Sequence, residues 1–476
     1  MQLTNLGVRW VDDESWYLMP IDSIQQEGKF RIPTVPGNDV FWAQPPILTY
    51  LEAVTDWIRP LSVRSARAIP IAFGLSLIAG TFLLGRRLFS PLTGLIAAAF
   101  VASDNLVFLA SRIIRPEILV TSLLVFALYL AARGHDDQKR KWRWMLASAS
   151  MCGLATACHP NGLILAPSVV LLTLFLGGLN KETFKTIFLF GILVLVFVAP
   201  FVIWMVAFDW ANEMANFKGT WLARYGRTGG QPAGQSLSVL SLIRGEVFGR
   251  YKDFVQFPFR VHIAFFDMLS LILLLINPSR KVKALGVITL FSMAFFIFVN
   301  NSNPSVRYLA IPMPILLLGC AALVANWVVA ARSSNIAMKL LVACLVVSLG
   351  FSSLVGNAFY LWKFRDADYD KVMAQVRTML PKDSRVYGGM FLWFGLRDRT
   401  FIPYIRMPWA KALSNWKPTA VVMDDWVMAG GGPDGSWTTL TKELDEYLAT
   451  NGTLVGTIDA GFYGKLRVFT LNQNNR

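Results

Sequence analysis

The 476-residue chain is strongly apolar, because 54% of its residues are hydrophobic, 16% are charged and the mean hydropathy is +0.47. This composition excludes a soluble globular protein and indicates a polytopic α-helical membrane protein. The net charge of +15 does not indicate a nucleic-acid partner, because the basic residues form short clusters between apolar runs, as membrane orientation requires.

The first 60 residues contain no apolar run of the roughly 20 residues that a membrane-spanning helix needs. Apolar residues at three- and four-residue spacing in 14–27 and 46–58 predict two amphipathic helices on the membrane interface. The acidic triplet Asp12-Asp13-Glu14 opens this region. Adjacent carboxylates raise one another's pKa, which suits a general base, and a solvated acidic turn is the structural alternative.

About ten segments with the length and hydropathy of membrane-spanning helices follow. They are approximately 66–84, 92–110, 117–132, 144–159, 161–178, 186–208, 262–277, 284–299, 308–331 and 336–361. Connections rich in Lys and Arg, such as 133–143, all fall on one side, which the positive-inside rule makes cytoplasmic. The acidic triplet, 111–117, the long loop 209–261 and everything after 362 are therefore expected to face outward.

The pattern changes after residue 361. Strand-like runs alternate with helical patterns at 369–380 and 438–448, which predicts a small extracytoplasmic α/β domain over 362–476. Residues 1–361 are predicted to form a membrane-embedded domain with two large outward loops, 1–65 and 209–261.

Ionisable residues collect at the predicted outer ends of two helices, where Arg112, Arg115 and Glu117 lie close together in the sequence. Charges at membrane depth are costly and usually functional. Arginines at helix ends also snorkel to the interface, so a structural role is the alternative.

The long outward loop contains a second basic group, in which Lys218, Arg224 and Arg227 flank Trp221 and Tyr225. The guanidinium group of arginine can donate two parallel hydrogen bonds to two oxygens of one phosphate. This combination predicts binding of an anionic group beside an apolar or sugar-like one, and a basic loop in water is the alternative.

Several short motifs occur in a fixed order on the predicted outer face. They are Asp13-Glu14 followed by Tyr17, Gln44-Pro45-Pro46-Ile47, Arg115-Pro116-Glu117, Gly153-Leu154-Ala155 before His159, and Arg307-Tyr308-Leu309 with Pro312 and Pro314. In this order they resemble the C-type superfamily of glycosyltransferases that use polyprenyl-phosphate sugars. That superfamily includes the protein O-mannosyltransferases and the lipid A aminoarabinose transferases, and the similarity covers about residues 10–360.

The resemblance implies a catalytic role for the loop 1–65, with Asp13 as the base, Glu14 supporting it and Glu117 as a second acidic group. His159 stands where relatives often have a lysine that faces the lipid phosphate, and Tyr308 would help to cradle that phosphate. The predicted substrate-binding residues are Arg112, Arg115, His159, Lys218, Arg224, Arg227, Arg307 and Tyr308.

The implied activity is transfer of a hexosyl or pentosyl group from a polyprenyl-phosphate donor to a hydroxyl of a protein, lipid or glycan, with inversion, at the outer face of a bacterial inner membrane. One carboxylate and a few cations suffice for this chemistry. A transporter or flippase for an anionic lipid or glycan is the alternative. It is disfavoured because the charges collect at the outer face rather than through the membrane middle. A second alternative, oligosaccharide transfer from a lipid pyrophosphate, ranks low because no metal-ligand set is evident.

No cofactor follows from the sequence with certainty. The four cysteines, Cys152, Cys158, Cys320 and Cys344, lie in apolar segments without metal-ligand spacing. Gln44 replaces the charged residue that precedes the proline pair in aminoarabinose transferases, which weakens the transfer of their metal site. A divalent cation is left open.

The beginning of the chain departs from the family pattern. In relatives a first membrane helix precedes the acidic motif, whereas Asp13 lies a dozen residues after Met1. Basic residues such as Arg9 and Lys29 oppose export of so long a tail. We therefore expect the natural protein to begin upstream of Met1 with one more helix, which gives about eleven.

Overall fold

A computed structural model describes most of the chain. The described residues are 12–28, 30, 46–216, 260–298, 306–330, 336–404, 409–424, 436–461 and 464–472. They form a helical region with several apolar helices, followed by a small domain built on a five-stranded sheet. This confirms the predicted combination of apolar helices with a small α/β unit. The boundary at residue 361 and the total of eleven helices stay predictions.

Among the described residues before residue 60, the chain forms three short helices. They are α1 (Asp12–Leu18), α2 (Pro20–Glu27) and α3 (Ile47–Ile58). All three pack against one another. In α3, Leu48 and Ala53 are buried, whereas Trp57 and Ile58 at its end are exposed. The predicted helix 46–58 is thus present as α3, and the predicted helix 14–27 is divided into α1 and α2.

The membrane region continues with thirteen labelled helices among the described residues. They are α4 (Val63–Ala66), α5 (Ala68–Leu88), α6 (Pro91–Ser103), α7 (Asn105–Ala110), α8 (Glu117–Asp136), α9 (Lys141–Cys158), α10 (Leu165–Gly177), α11 (Lys181–Asn216), α12 (Arg260–Ile276), α13 (Arg280–Phe298), α14 (Met313–Ala330), α15 (Ile336–Val346) and α16 (Ser352–Lys363). Every predicted spanning segment falls on one or two of these helices.

Within the described ranges, five helical segments are long and apolar enough to cross a bilayer. They are Val63–Leu88, Glu117–Asp136, Pro160–Gly177, Lys181–Trp204 and Val342–Lys363. The predicted single span 92–110 is wrong in one respect, because it divides into α6 and α7. The carboxylate of Asp104 accepts a hydrogen bond from the backbone N–H of Val107 at 2.9 Å and so starts a new helix.

Helix α8 lies inside the helical region, where it packs against α5, α9 and α10. Its side chains are buried on every face, which explains why no polar stripe interrupts its apolar sequence. Its 20 residues extend over about 30 Å. Glu117 therefore lies at one end of the bundle, and the basic connection that begins near Arg133 lies at the other end.

The described part of the C-terminal domain contains five strands and two main helices. They are β1 (Arg385–Gly388), β2 (Thr400–Pro403), β3 (Ala420–Asp424), β4 (Gly452–Asp459), β5 (Lys465–Leu471), α17 (Tyr369–Met379) and α18 (Ser436–Asn451). The strand order is β2-β1-β3-β5-β4. Strand β1 is parallel to β2 and β3, whereas β5 is antiparallel to β3 and β4. Four strands and both helices were predicted from the sequence, and β2 was not.

Candidate functional site

Glu14 is a buried carboxylate that joins three parts of the helical region. Arg67, just before α5, donates from Nε to Oε1 at 2.9 Å and from Nη2 to Oε2 at 2.6 Å. The backbone N–H of Ile114 donates to Oε1 at 2.9 Å. The two side chains are 0% and 2% exposed. The alternative of a solvated acidic turn is therefore wrong for Glu14, which holds α1 against α5 and the connection before α8.

Asp13 directly precedes Glu14 in α1. Its side chain lies outside the described residues, so its assignment as the base stays a prediction. The backbone of α1 is placed by the contacts of Glu14 with Arg67 and Ile114. The role of Glu14 in supporting Asp13 likewise stays a prediction.

A second buried pair lies at the start of α8. Arg115 donates from Nε and Nη2 to Oε1 of Glu117 at 2.9 and 2.7 Å, and from Nε to Oε2 at 3.2 Å. Both side chains are almost fully buried. The carboxylate stands in the first turn of α8, where the helix dipole favours negative charge.

Arg112 supplies a third buried guanidinium, beside the first pair. It is 6% exposed, and its Cζ lies 5.1 Å from the centre of the Phe108 ring. Burial and the nearby charge of Arg67 lower the pKa of Arg112 to about 10, so it stays protonated at neutral pH. We call Glu14, Arg67, Arg112, Arg115 and Glu117 the acid–arginine site.

His159 lies between α9 and the segment that leads into α10, near Glu117 and Tyr308. Its Nδ1 accepts a hydrogen bond from the backbone N–H of Asn161 at 3.0 Å. Its ring centre is 6.0 Å from that of Tyr308, which stacks on Phe296. Burial lowers the pKa of His159 to about 4; the charge of Glu117 opposes this shift and the charge of Arg115 adds to it.

A pKa of about 4 makes the imidazole of His159 neutral at pH 7, and its contact with the lipid phosphate stays a prediction. Since Nδ1 accepts a hydrogen bond, the proton of the neutral ring is assigned to Nε2. His159 is therefore suited to act as a neutral hydrogen-bond donor rather than as a substitute for lysine.

Two residues at the site were missed by sequence reasoning. Arg67 belongs to none of the motifs that the sequence shows, and its position directly before an apolar helix was the signal for it. Glu52 lies on the buried face of α3 together with Leu48 and Ala53, and a carboxylate on the apolar face of an amphipathic helix was the signal for it.

Glu52 is fully buried, and both carboxylate oxygens lack a hydrogen-bond partner among the described residues. Burial raises the pKa of Glu52 well above its ordinary value, and the charges of Glu14 and Asp56 raise it further. Glu52 therefore holds its proton to higher pH than a free glutamic acid.

Four predicted binding residues are only partly or not at all described. Lys218, Arg224 and Arg227 lie outside the described residues. Arg307 belongs to the 3-10 helix Val306–Ala310, which contacts α7 and α8, but its side chain is outside them. Their roles stay predictions.

The described residues do not provide a metal site. Among them, no group of three or more His, Cys, Asp or Glu side chains is arranged to hold a metal ion. Glu14 and Glu117 each form an ion pair with an arginine.

An apolar groove of about 470 Å³ lies between α3, α9 and α11. Its lining includes Ile47, Tyr50, Leu154, Phe201 and Trp204. Helix α3 lines the groove with Ile47 and Tyr50, and the hydroxyl of its Thr49 donates to the carbonyl of Tyr17 in α1 at 2.8 Å. An apolar groove and the polar acid–arginine site thus lie close to the same helix.

The structure thus combines an apolar helix bundle, the acid–arginine site at one end of it and a small sheet domain. Residues 43–204, about a third of the chain, match the family model of dolichyl-phosphate-mannose-protein mannosyltransferases. These residues include α3, Arg115, Glu117 and His159. The resemblance stated from the sequence is therefore confirmed. A comparison with curated proteins found no match.

Solved structures share this fold over nearly the whole chain. ArnT from Cupriavidus metallidurans, bound to undecaprenyl phosphate, is similar with a TM-score of 0.65 and 16% identity, over 98% of this chain and 94% of ArnT. The oligosaccharyltransferase of Archaeoglobus fulgidus, in complex with Zn and sulfate, has a TM-score of 0.53 and 16% identity, over 93% of this chain and 67% of that one. At these identities the shared property is the fold.

Proposed function

We propose that the protein is a membrane glycosyltransferase that moves a sugar from a polyprenyl-phosphate donor to an acceptor hydroxyl. The observation that supports this most is the buried acid–arginine site beside an apolar groove, because a lipid-phosphate donor needs both environments at once. The family match over residues 43–204 supports the same class of enzyme.

The reaction forms a bond between the acceptor oxygen and the anomeric carbon and breaks the bond from that carbon to the phosphate oxygen. The electron pair of the broken bond leaves with the phosphate, and the acceptor proton moves to the Asp13 carboxylate. Attack opposite the phosphate inverts the anomeric centre. The donor is already activated, so the protein needs only a base and stabilisation of the leaving phosphate.

The leaving phosphate requires nearby positive charge and hydrogen-bond donors. The buried guanidinium of Arg112 lies close to that of Arg67 in the acid–arginine site. We assign the phosphate to Arg112, with the Nε2–H of His159 as a neutral donor. Lys218, Arg224, Arg227, Arg307 and Tyr308 are proposed to complete this binding site.

The groove between α3, α9 and α11 is proposed to hold the polyprenyl tail. Its lining is almost entirely apolar, and it borders helices that are apolar enough to lie in the bilayer. ArnT, which has the same fold, was crystallised with undecaprenyl phosphate. In this arrangement the tail stays among the helices while its phosphate reaches the polar site past α3.

The site is proposed to face outward from a bacterial inner membrane, with the C-terminal domain on the same side. Glu117 lies at the opposite end of α8 from the basic connection near Arg133. The positive-inside rule places that connection in the cytoplasm. The transferred group is expected to be a hexose or pentose, and the acceptor a protein, lipid or glycan.

The test is transfer of label from a radiolabelled polyprenyl-phosphate sugar to a membrane-extract acceptor by the purified protein. Wild type should transfer label, and Asp13→Asn should reduce the rate by roughly 100-fold, since it removes the base with little change of shape. Both proteins should have the same melting temperature. Movement of intact donor across sealed vesicles without any transfer would instead support a flippase.

A further inference from the structure

The C-terminal domain contacts the helices at the site through the segment that joins β1 to β2. This segment, residues 389–399, is called the β1–β2 connection. Its first part, Met390–Leu392, packs against α1, the helix that contains Glu14. The sheet domain is therefore in direct contact with the element that places the proposed base.

Arg397, in the same connection, reaches two carboxylates on two different helices. Its Nη2 lies 2.5 Å from Oδ1 of Asp22 in α2 and 3.0 Å from Oδ2 of Asp56 in α3. Its Nη1 lies 3.4 Å from Oδ1 of Asp56. The side chains of Arg397, Asp22 and Asp56 are 22%, 22% and 8% exposed. One guanidinium thus joins α2, α3 and the sheet domain.

The contact between Arg397 and Asp56 shifts the pKa of each group towards its charged form. Burial alone would raise the pKa of Asp56, but hydrogen bonds from Arg397 and from the N–H of Leu61 hold it below its ordinary value. Burial opposes the charge of Arg397, yet hydrogen bonds to Asp56 and Asp22 raise its pKa. The ion pairs therefore persist throughout the physiological pH range.

The β1–β2 connection is fixed to its own domain. The hydroxyl of Tyr369 donates to the carbonyl of Phe391 at 2.7 Å and accepts from the N–H of Gly395 at 2.8 Å. Arg377 donates to the carbonyl of Gly395 at 2.6 Å. A Cβ at Gly395 would lie 2.2 Å from Cγ of Met373, so α17 lies directly against this backbone. The connection that contains Arg397 is therefore held firmly against α17 of the sheet domain.

Helix α1 has only seven residues, so its position depends on its neighbours. Those neighbours include α2, α3 and Met390–Leu392. We propose that Arg397 is a positioning residue for the transfer reaction, which clamps α2 to α3 and thereby holds α1 and its Asp13–Glu14 pair in place. This inference rests on the proposed function.

The clamp makes a specific kinetic prediction. A shift of about 1 Å in the base is enough to slow a reaction severely, so Arg397→Ala should lower kcat about tenfold or more. The donor KM should change less than kcat does, because Arg112 and His159, which are proposed to bind the donor phosphate, lie outside α2 and α3. A loss of overall folding would not separate the two constants in this way.

The experiment combines kinetics with hydrogen–deuterium exchange on the full chain in detergent. The variants are Arg397→Ala, Arg397→Lys and the double variant Asp22→Asn with Asp56→Asn. A triple variant combines the double variant with Arg397→Ala. The matched control is Arg467→Ala, which removes an ion pair to Asp445 at 3.6 Å inside the same domain. Exchange is read at 12–18 and 20–27, and does not require activity.

Arg397→Ala is expected to speed exchange in both segments and to lower kcat, whereas Arg467→Ala should do neither. Arg397→Lys should recover only part of kcat. The lysine keeps the positive charge, but its single ammonium group cannot bind both carboxylates as rigidly as the guanidinium does. Adding Arg397→Ala to the double aspartate variant should have no further effect. Unchanged exchange in α1, or faster exchange with normal kcat, would overturn the clamp. An inactive wild type with the predicted exchange pattern would refute the proposed function and not the contact.

Discussion

At the scale of single residues, the partner of a buried charge decides what that charge can do. Glu14 and Glu52 are both fully buried and influence each other. Glu14 has a two-point contact with Arg67, whereas Glu52 has no hydrogen-bond partner among the described residues. The carboxylate of Glu14 is therefore held by Arg67, whereas the burial of Glu52 in its ionised form has a free-energy cost that depends on pH.

The raised pKa of Glu52 gives a signed pH prediction. A carboxyl group whose folded pKa lies above its unfolded value contributes most below the unfolded value of about 4.3. That contribution is lost as the pH rises towards the folded value, at up to about 1.4 kcal/mol per pH unit. Glu52→Gln should therefore raise the melting temperature near pH 7.5 and leave it nearly unchanged near pH 4.

Thermal unfolding of the detergent-solubilised protein between pH 4 and pH 8 provides the measurement. Glu446→Gln is the matched control, because Glu446 is exposed and lies 3.9 Å from Lys442. It should change the melting temperature little at any pH. Equal pH profiles for wild type and Glu52→Gln would contradict a neutral Glu52.

Much of the site was predictable because its residues stand in short motifs. Arg115 and Glu117 are two positions apart, and their pairing follows from local sequence. The partner of Glu14 was not predictable, because Arg67 is 53 residues away and several other arginines stood nearby. Similarly, the neutral state of His159 depends on burial by residues that are distant in sequence.

At the scale of elements, one part of the α3 surface is buried in the protein and another part lines the apolar groove. Leu48, Glu52 and Ala53 are buried, and Ile47 and Tyr50 line the groove. The amphipathic pattern predicted the helix, but not which neighbour covers which face. On the other side of the groove, Gly153 lets α9 approach α11, since a Cβ there would lie 2.5 Å from Cβ of Phe197.

Filling the groove tests whether it holds the lipid tail. Ala157 lines the groove, so Ala157→Phe should raise the KM for a long-chain polyprenyl donor by about tenfold. A donor with a short chain should be affected much less, because its tail does not need the filled volume.

Initial rates with donors of two chain lengths provide the comparison. Leu195→Phe is the control, because Leu195 is an exposed apolar residue on α11 outside the groove lining. It should leave both KM values unchanged. An equal rise in KM for both donors would place the tail elsewhere.

At the scale of the whole molecule, the site and the sheet domain lie at the same end of the helix bundle. The sheet domain touches α1 through Met390–Leu392 and joins α2 and α3 through Arg397. The basic connection after α8 lies about 30 Å away, at the far end. The strands of this domain were mostly predictable from their sequences. Strand β2 and the contact with α1 were not, because both depend on long-range pairing.

Cysteine labelling tests the sidedness of this arrangement. Lys382 in the C-terminal domain and Lys139 in the basic connection are both exposed. In a Cys344→Ser background, Lys382→Cys should react with a membrane-impermeant maleimide in intact cells. Lys139→Cys should react only after permeabilisation, since it is expected in the cytoplasm. The reverse pattern would invert the orientation.

The bonds of Glu14 also bear on how the chain is assembled as it is synthesised. Its partners Arg67 and Ile114 follow it by 53 and 100 residues, and Arg397 follows Asp22 by 375. A carboxylate gains nothing from leaving water before its partners arrive. Helices α1 and α2 therefore gain these contacts only after α5, α8 and the sheet domain have been synthesised, so they are among the last of the described elements to reach their final positions.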